Sequence, residues 1–401
     1  MITRERYLAK IRPFQNKPVI KILTGIRRAG KSTMLKMLQS ELRNNGVEEE
    51  QILEINFETS AGLKLSTKED LLNYVSNFQK RQKGKSYLFF DEIQQVNGWE
   101  KVVNSFLVDY NADIYLTGSN ASLLSGTLAT HLAGRYVSFQ IHPFSFLEFQ
   151  KLFESERLTA AEIFRKYVTY GGMPFLKYLD FEYEPSMQYL RDIYSSVVIK
   201  DIVTYKNLRD VDLLDRIIRY VISNTGQTFS ANSLSNYFKN EGRKVSVDTI
   251  LDYLKACEEA FLFTGVKRED LIGKKILQVQ EKYYIEDHGV REAVIGNNSQ
   301  EIQLILENII YAELTSRGFN VTVGINSSKE IDFVCKKEGK KSYYQVAYLL
   351  ANQETINREF NAYKGIGDNY PKYVLSMDTF DLSRDGIIHK NILDFLMEPP
   401  Y

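Results

Sequence analysis

Residues 25–33, "GIRRAGKST", set Gly25 and Gly30 ahead of Lys31 and Ser32 in the pattern G-x-x-x-x-G-K-[ST], directly behind the apolar run "VIKILT". Glycines let backbone N–H groups close on phosphate oxygens, and a helix starting at Lys31 adds its positive end. The candidate nucleotide-binding set is Gly25, Ile26, Arg27, Arg28, Ala29, Gly30, Lys31, Ser32 and Thr33. Lys31 suits the β- and γ-phosphates and Ser32 a magnesium ion, so ATP and Mg²⁺ are the expected cofactors. Arg27 and Arg28 either brace phosphate or face solvent.

A second acidic element is required at the end of another apolar strand, and "YLFFDEIQ" supplies it. Asp91 is placed to complete the metal site and Glu92 to polarise an attacking water. The run "IYLTGSN" ends in Thr117, Ser119 and Asn120; Ser119, then Asn120, are the favoured contacts to a γ-phosphate or the lytic water. Arg135 falls at a helix-to-strand junction, where it either reaches a neighbouring subunit's γ-phosphate or is an ordinary surface arginine.

These residues need a scaffold. Strand-like apolar runs occur at 19–24, 52–57, 87–91, 114–118 and 136–141, with helical-period segments between them. Strands that are apolar on both faces and alternate with helices predict a parallel sheet covered on both sides, in an α/β region ending near residue 145. The extra strand "ILEINF" between loop and acids, with Glu92 following Asp91, points to the P-loop ATPases that use a glutamate base. From 143 to about 206 the pattern is helical, broken by "YGGMPF". Residues 210–262 read as three short helices followed by a hairpin, the outline of a winged helix-turn-helix. The last hundred residues mix helices and strands.

With 401 residues, 44% hydrophobic and 25% charged, the chain has material for more than one buried core. Lys+Arg and Asp+Glu are both 51, so no global basic field advertises nucleic acid. Two cysteines, Cys257 and Cys335, build neither a disulfide framework nor a four-ligand zinc site. The start "MITRERYLAKIRPF" lacks a long apolar h-region, and no 18-residue uncharged apolar run occurs. The expectation is a cytoplasmic protein without a membrane partner.

Taken in order, "FQNKPVIKILTGIRRAGKSTML", "LFFDEIQ", "YLTGSNASLL", "LAGRYVSFQIHPFSFLEF" and "YGGMPF" resemble the prokaryotic AAA+-type ATPases of the AAA_14 group. "EKYYIEDHGVREAVIG", "LENIIYAELTSRGFNVTV", "KEIDFV" and "YYQVAYLL" resemble the DUF4143 region that ends such chains. The resemblance implies an α/β fold with a P-loop NTPase (AAA+/ASCE) core over 1–145 and a helical lid over 146–206. It implies a winged helix over 207–295 and a domain similar to PD-(D/E)xK nucleases over 296–401.

A nuclease of that kind needs carboxylates on a metal and a lysine to activate water. Glu307, Asp332 and Gln345 are the candidate ligands, but Ala347 stands where the lysine belongs, so a degenerate site is expected. Arg358 and Lys341 are the alternative cations, Arg358 with Glu359 beside it. The helix in the recognition position carries Asp248, Asp252, Glu258 and Glu259 against Lys255, which suits a major groove poorly. Candidate DNA contacts therefore lie around it, at Arg243, Lys244, Lys267, Arg268, Lys274 and Lys275. The expected function is an ATPase coupled to DNA through the winged helix and the C-terminal domain; the alternatives are a nucleotide-gated protein–protein switch like the related STAND ATPases and an ATP-regulated nuclease. A protein partner or homo-oligomer is compatible with the first two.

Overall fold

The computed structural model describes residues 2–121, 134–204, 206, 208, 210–273 and 275–399, without the side chains of 275–279. The chain divides into two compact units, one of residues 1–142 with 259–261 and the other of 143–258 with 262–401.

In the first unit, β1 (Ile20–Thr24), β2 (Ile52–Asn56), β3 (Ser86–Asp91), β4 (Ala112–Thr117) and β5 (Tyr136–Gln140) form one sheet in the order β2-β3-β4-β1-β5. All its pairings are parallel. Side chains alternate faces along each strand. Ile20, Ile22, Leu88, Phe90, Ile114 and Leu116 pack with Leu71, Val75, Val103 and Phe106 of the helices Lys68–Gln79 and Trp99–Asp109. Leu23, Tyr87, Phe89 and Tyr115 face the other way, against Tyr7, Leu8 and Ile11 of Glu5–Ile11 and Met34, Leu35 and Leu38 of Lys31–Asn44. Each such side chain contributes about 1.5–3 kcal/mol when fully buried. The central strands are thus apolar on both faces, as their sequences predict.

A buried ion pair lies against the second core. Lys21 is fully buried and pairs with Asp113, its ammonium 4.6 Å from the Tyr115 ring centre. Burial pulls the Lys21 pKa down against the opposing pull of Asp113. The Asp113 carboxylate also accepts hydrogen bonds from Tyr115 Oη and the Asn16 N–H, both at 2.9 Å.

In the second unit, helices occupy Phe146–Gln150, Ala160–Tyr170 and Tyr183–Ser196, the last running into a π-helical stretch, Val197–Thr204. Three more follow at Val211–Ser223, Ala231–Asn240 and Val247–Glu259, then the hairpin of β6 (Phe263–Asp270) and β7 (Lys275–Ile285). Beyond the helices His288–Val294 and Ile302–Ser316 come β8 (Asn320–Asn326), β9 (Lys329–Lys337), β10 (Lys340–Val346), β11 (Lys372–Ser376) and β12 (Ile388–Asn391). The sheet order is β12-β11-β10-β9-β8-β6-β7.

That order carries one sheet across the expected division at 295/296. β6 pairs in parallel with β8, Arg268 opposite Val323, so the hairpin expected as a wing belongs to the sheet of the tail. A strand edge exposes unpaired N–H and C=O groups, and β8 supplies partners for β6.

The motifs "YGGMPF" and "EDHGVRE" meet in this unit. The Gly172 N–H donates to Asp287 Oδ2 at 2.8 Å, and a Cβ on Gly171, whose φ is +70°, would stand 2.3 Å from Asp287 Oδ1. His288 Nε2 lies 2.6 Å from the Tyr167 carbonyl. Burial raises the Asp287 pKa to about 6 and lowers that of His288 to about 4.

Candidate nucleotide site

β1 ends at Thr24 and the helix Lys31–Asn44 begins at Lys31, so residues 25–30 form the loop between them. Gly25 has φ +136°, and a Cβ there would stand 2.2 Å from the Ile141 carbonyl oxygen, so glycine is required by both conformation and space. Gly30 (φ +100°) caps the helix, and Arg28 holds a left-handed conformation. Ile26 and Ala29 are buried, while Ser32 and Thr33 are exposed at the start of the helix. The Lys31 ammonium donates to the carbonyls of Gly25 (2.9 Å) and Ile26 (3.2 Å) and lies 3.9 Å from Glu92 Oε1.

β3 ends at Asp91, and Glu92 follows in a left-handed conformation at φ +57°. Left-handed backbone at a non-glycine residue costs about 1–3 kcal/mol and persists where the surroundings hold it. Here the Glu92 N–H donates to Thr117 Oγ1 at 2.9 Å, and the same hydroxyl donates to Asp91 Oδ1 at 2.5 Å. Asn56 Nδ2 donates to Asp91 Oδ2 at 2.9 Å from the end of β2, level with Asp91 in the strand register. Burial raises the Asp91 pKa, against the pull of the Thr117 and Ser32 hydroxyls, which lower it. The Glu92 carboxylate accepts a hydrogen bond from Gln94.

Lys31, Ser32, Asp91 and Glu92 are therefore brought together by the ends of β1 and β3. A divalent cation fits this donor set: a hydroxyl and a buried carboxylate, both hard oxygens. Ser119 and Asn120 are buried just after β4. Thr117, named with them but ranked below them, is the residue bonded to both acids. Asn56 was missed, and its signal was its place at the end of an apolar strand. Arg27 approaches Glu58 at 3.7 Å, and Arg28 is exposed. Arg135 is exposed and donates to Asn104 Oδ1 at 2.7 Å, while residues 122–133 ahead of it lie outside the described residues.

In the second unit, a lysine outside the expected motif, Lys282, lies against the Glu307 and Glu330 carboxylates. Lys282 of β7 donates to Glu307 Oε1 at 2.9 Å and to Glu330 Oε1 at 2.7 Å. Tyr284 Oη donates to the same Glu307 oxygen at 2.6 Å. Burial alone would lower the Lys282 pKa, but Glu307, Asp332 and Glu330 together raise it. Asp332 Oδ2 accepts the Val346 N–H at 2.8 Å, and Gln345 Oε1 accepts the Asp332 N–H at 3.3 Å. Burial, then Glu307, raise the Asp332 pKa well above the usual carboxylate range. One oxygen each of Glu307 and Asp332 accepts a protein donor, and among the described residues no cluster of three or more His, Cys, Asp or Glu is arranged for a metal. Arg358 donates to its neighbour Glu359, and Lys341 stands over the Tyr343 ring and 3.9 Å from Glu269.

Of the candidate DNA contacts, Arg243 donates to Asp210 and Asp212, and Arg268 to Gln280 at 2.7 Å, with Glu330 at 3.6 Å. Lys244 and Lys267 are exposed. Lys274 and the side chain of Lys275 lie outside the described residues. Among the described residues no helix is long and apolar enough to cross a membrane.

Residues 17–150 match the profile of an AAA domain. Residues 161–301 match a domain of unknown function, DUF8612, in place of the DUF4143 region expected from the sequence. An uncharacterised protein of Haemophilus influenzae is 36% identical over 99% of this chain and 99% of its own. The uncharacterised protein MJ1544 of Methanocaldococcus jannaschii is 28% identical over 86% of this chain and 78% of its own. Among solved structures, the Walker-type ATPase of Pyrococcus abyssi aligns with a TM-score of 0.50 at 18% identity, covering 73% of this chain and 96% of that one. That likeness is one of fold.

Proposed function

We propose, for a chain that belongs to the same family as the Haemophilus influenzae protein and carries an AAA domain, that it binds ATP with Mg²⁺ at residues 25–33 and hydrolyses it. The observation that carries this reading is the convergence of Lys31, Ser32, Asp91 and Glu92 from the ends of two parallel strands. Lys31, whose ammonium is held by the loop carbonyls, binds phosphate; Ser32 and Asp91 hold the cation, which supplies charge neutralisation on the phosphates. Glu92 takes a proton from the attacking water, and Thr117 keeps it beside Asp91. Ser119 and Asn120 follow β4 and serve as γ-phosphate contacts. Arg135, exposed and tied to Asn104, is a candidate for action across a subunit contact.

Two couplings are open, to DNA and to a protein partner. Phosphate contacts need Lys or Arg: Arg243 is committed to two aspartates and Arg268 to Gln280 and Glu330, whereas Lys244 and Lys267 are exposed and are the candidates left for DNA. In the third, nuclease, reading Lys282 is paired with Glu307 and Glu330 rather than free to activate water. The experiment is steady-state ATP hydrolysis with and without single- and double-stranded DNA, using Lys31→Ala as the blank. Turnover that ignores DNA and vanishes in the variant supports the reading. Stimulation by DNA that is lost in Lys267→Ala would assign the coupling to nucleic acid, and absence of turnover would sink the ATPase itself.

A further inference from the structure

The phosphate loop is held from behind by a residue that no motif includes. Arg4 is 2% exposed and donates from Nη1 to the carbonyl oxygen of Ala29 at 3.1 Å. Its guanidinium lies over the Tyr7 ring, 4.5 Å from the centre. The Tyr7 hydroxyl accepts the His142 N–H at 3.2 Å, next to Ile141, whose own N–H donates to Thr24 at 2.7 Å and whose carbonyl bars a side chain at Gly25. Arg4 and Tyr7 thus grip both ends of the loop: Ala29 at one end, and at the other the strand end against which Gly25 lies.

The helix Glu5–Ile11 keeps this grip in place. Tyr7, Leu8 and Ile11 are buried with Met34, Leu35 and Leu38 of the helix that starts at Lys31. Arg4 stands at its N-terminal end, its carbonyl accepting the N–H groups of Tyr7 (3.0 Å) and Leu8 (3.2 Å). Burying a guanidinium is costly unless its donors are satisfied, so the position of Arg4 is specific.

A trans peptide is planar, with its C=O and the following N–H pointing in opposite directions. Whatever holds the Ala29 carbonyl therefore also directs the Gly30 N–H away from itself. We propose that Arg4 is a positioning residue for the nucleotide site: by holding the Ala29 carbonyl it sets the Ala29–Gly30 peptide so that Gly30 N–H donates to the phosphates of bound ATP. The inference rests on the proposed ATP site and adds to it a residue 25 positions from its partner in sequence.

The test uses the full chain and fluorescent ATP and ADP analogues, with kcat and KM measured alongside. Arg4→Gln should weaken binding of both nucleotides about tenfold, as the loss of about 1.4 kcal/mol gives, and raise KM while kcat changes less than twofold. Arg4→Lys, which keeps a cationic donor, should recover part of the affinity. A merely structural arginine would lower the melting temperature without moving the nucleotide Kd of the folded variant, and that result overturns the proposal. Should Arg4→Gln fail to fold, Tyr7→Phe carries the test, since it removes only the hydroxyl that anchors the other end; a weaker Kd supports the grip and an unchanged one overturns it. If the wild-type chain binds no ATP, the ATP reading fails with the inference. If it binds ATP, Lys31→Ala does not, and Arg4→Gln matches wild type, the inference alone fails.

Discussion

Thr117 Oγ1 lies 2.5 Å from Asp91 Oδ1, and it accepts the Glu92 N–H at 2.9 Å. One hydroxyl at the end of β4 therefore orients both acids at the end of β3, and it helps to hold Glu92 in its left-handed conformation. Thr117→Val keeps the shape but leaves a buried N–H without an acceptor and removes a donor from Asp91. It should cost about 1–3 kcal/mol of stability and slow ATP turnover at least tenfold, with Thr117→Ser recovering both. Urea titration and steady-state kinetics check this, and wild-type turnover in Thr117→Val would remove the positioning role.

Glu92→Gln separates binding from hydrolysis. Glutamine preserves size and hydrogen bonding but accepts no proton from water, so turnover should fall by about 10²–10⁴-fold while ATP affinity stays within about threefold. Lys31→Ala should instead lose affinity. Equal loss of both in Glu92→Gln would mean that the residue binds and does not act as a base.

The Asp287–His288 pair makes a pH prediction. Asp287 has a folded pKa of about 6 against an ordinary 3.8, so its contribution is full below pH 3.8 and is lost as pH rises to 6. His288 has a folded pKa of about 4 against 6.5, so its contribution is full above pH 6.5 and is lost as pH falls to 4. Each amounts to about 3 kcal/mol, and between pH 4 and 6 the two slopes oppose and nearly cancel. His288→Gln removes one of them. Relative to wild type, the variant should gain stability steadily from pH 6 down to pH 4 in urea titrations; parallel curves would refute the assignment.

Lys282 is the countercharge for Glu307 and Glu330 and lies in the field of Asp332. Lys282→Met should therefore destabilise the chain by about 3–5 kcal/mol, because buried carboxylates lose their partner. Adding Glu307→Gln should restore most of that loss. A Lys282→Met chain as stable as wild type would show that water already neutralises the acids.

Much of the candidate nucleotide site is legible in the sequence because its parts are local. The loop is a contiguous run of nine residues, and its strand and helix neighbours show their periods directly. The acids were legible for a related reason, since an Asp-Glu pair closing a fully apolar strand has little other use beside such a loop. The same holds for the strands of the first sheet, whose two apolar faces are written in consecutive residues. β12 is not legible in the sequence because four residues, Ile388–Asn391, are too few to show an alternation.

Tertiary structure decided what depends on register and on distant pairing. Asn56 meets Asp91 because β2 and β3 align those two residues, and no spacing in the chain records that alignment. Arg4 reaches Ala29 only because the first helix packs on the helix after the loop. Lys282 serves Glu307 because β7 and the helix Ile302–Ser316 bring a lysine from outside the expected motif. The hairpin expected as a wing extends the second sheet because β6 finds β8, a pairing set by backbone hydrogen bonds that any side chains allow. Local chemistry is encoded by residue type and spacing, whereas the partners that orient it are chosen when separate elements pack and their buried polar groups must all be satisfied.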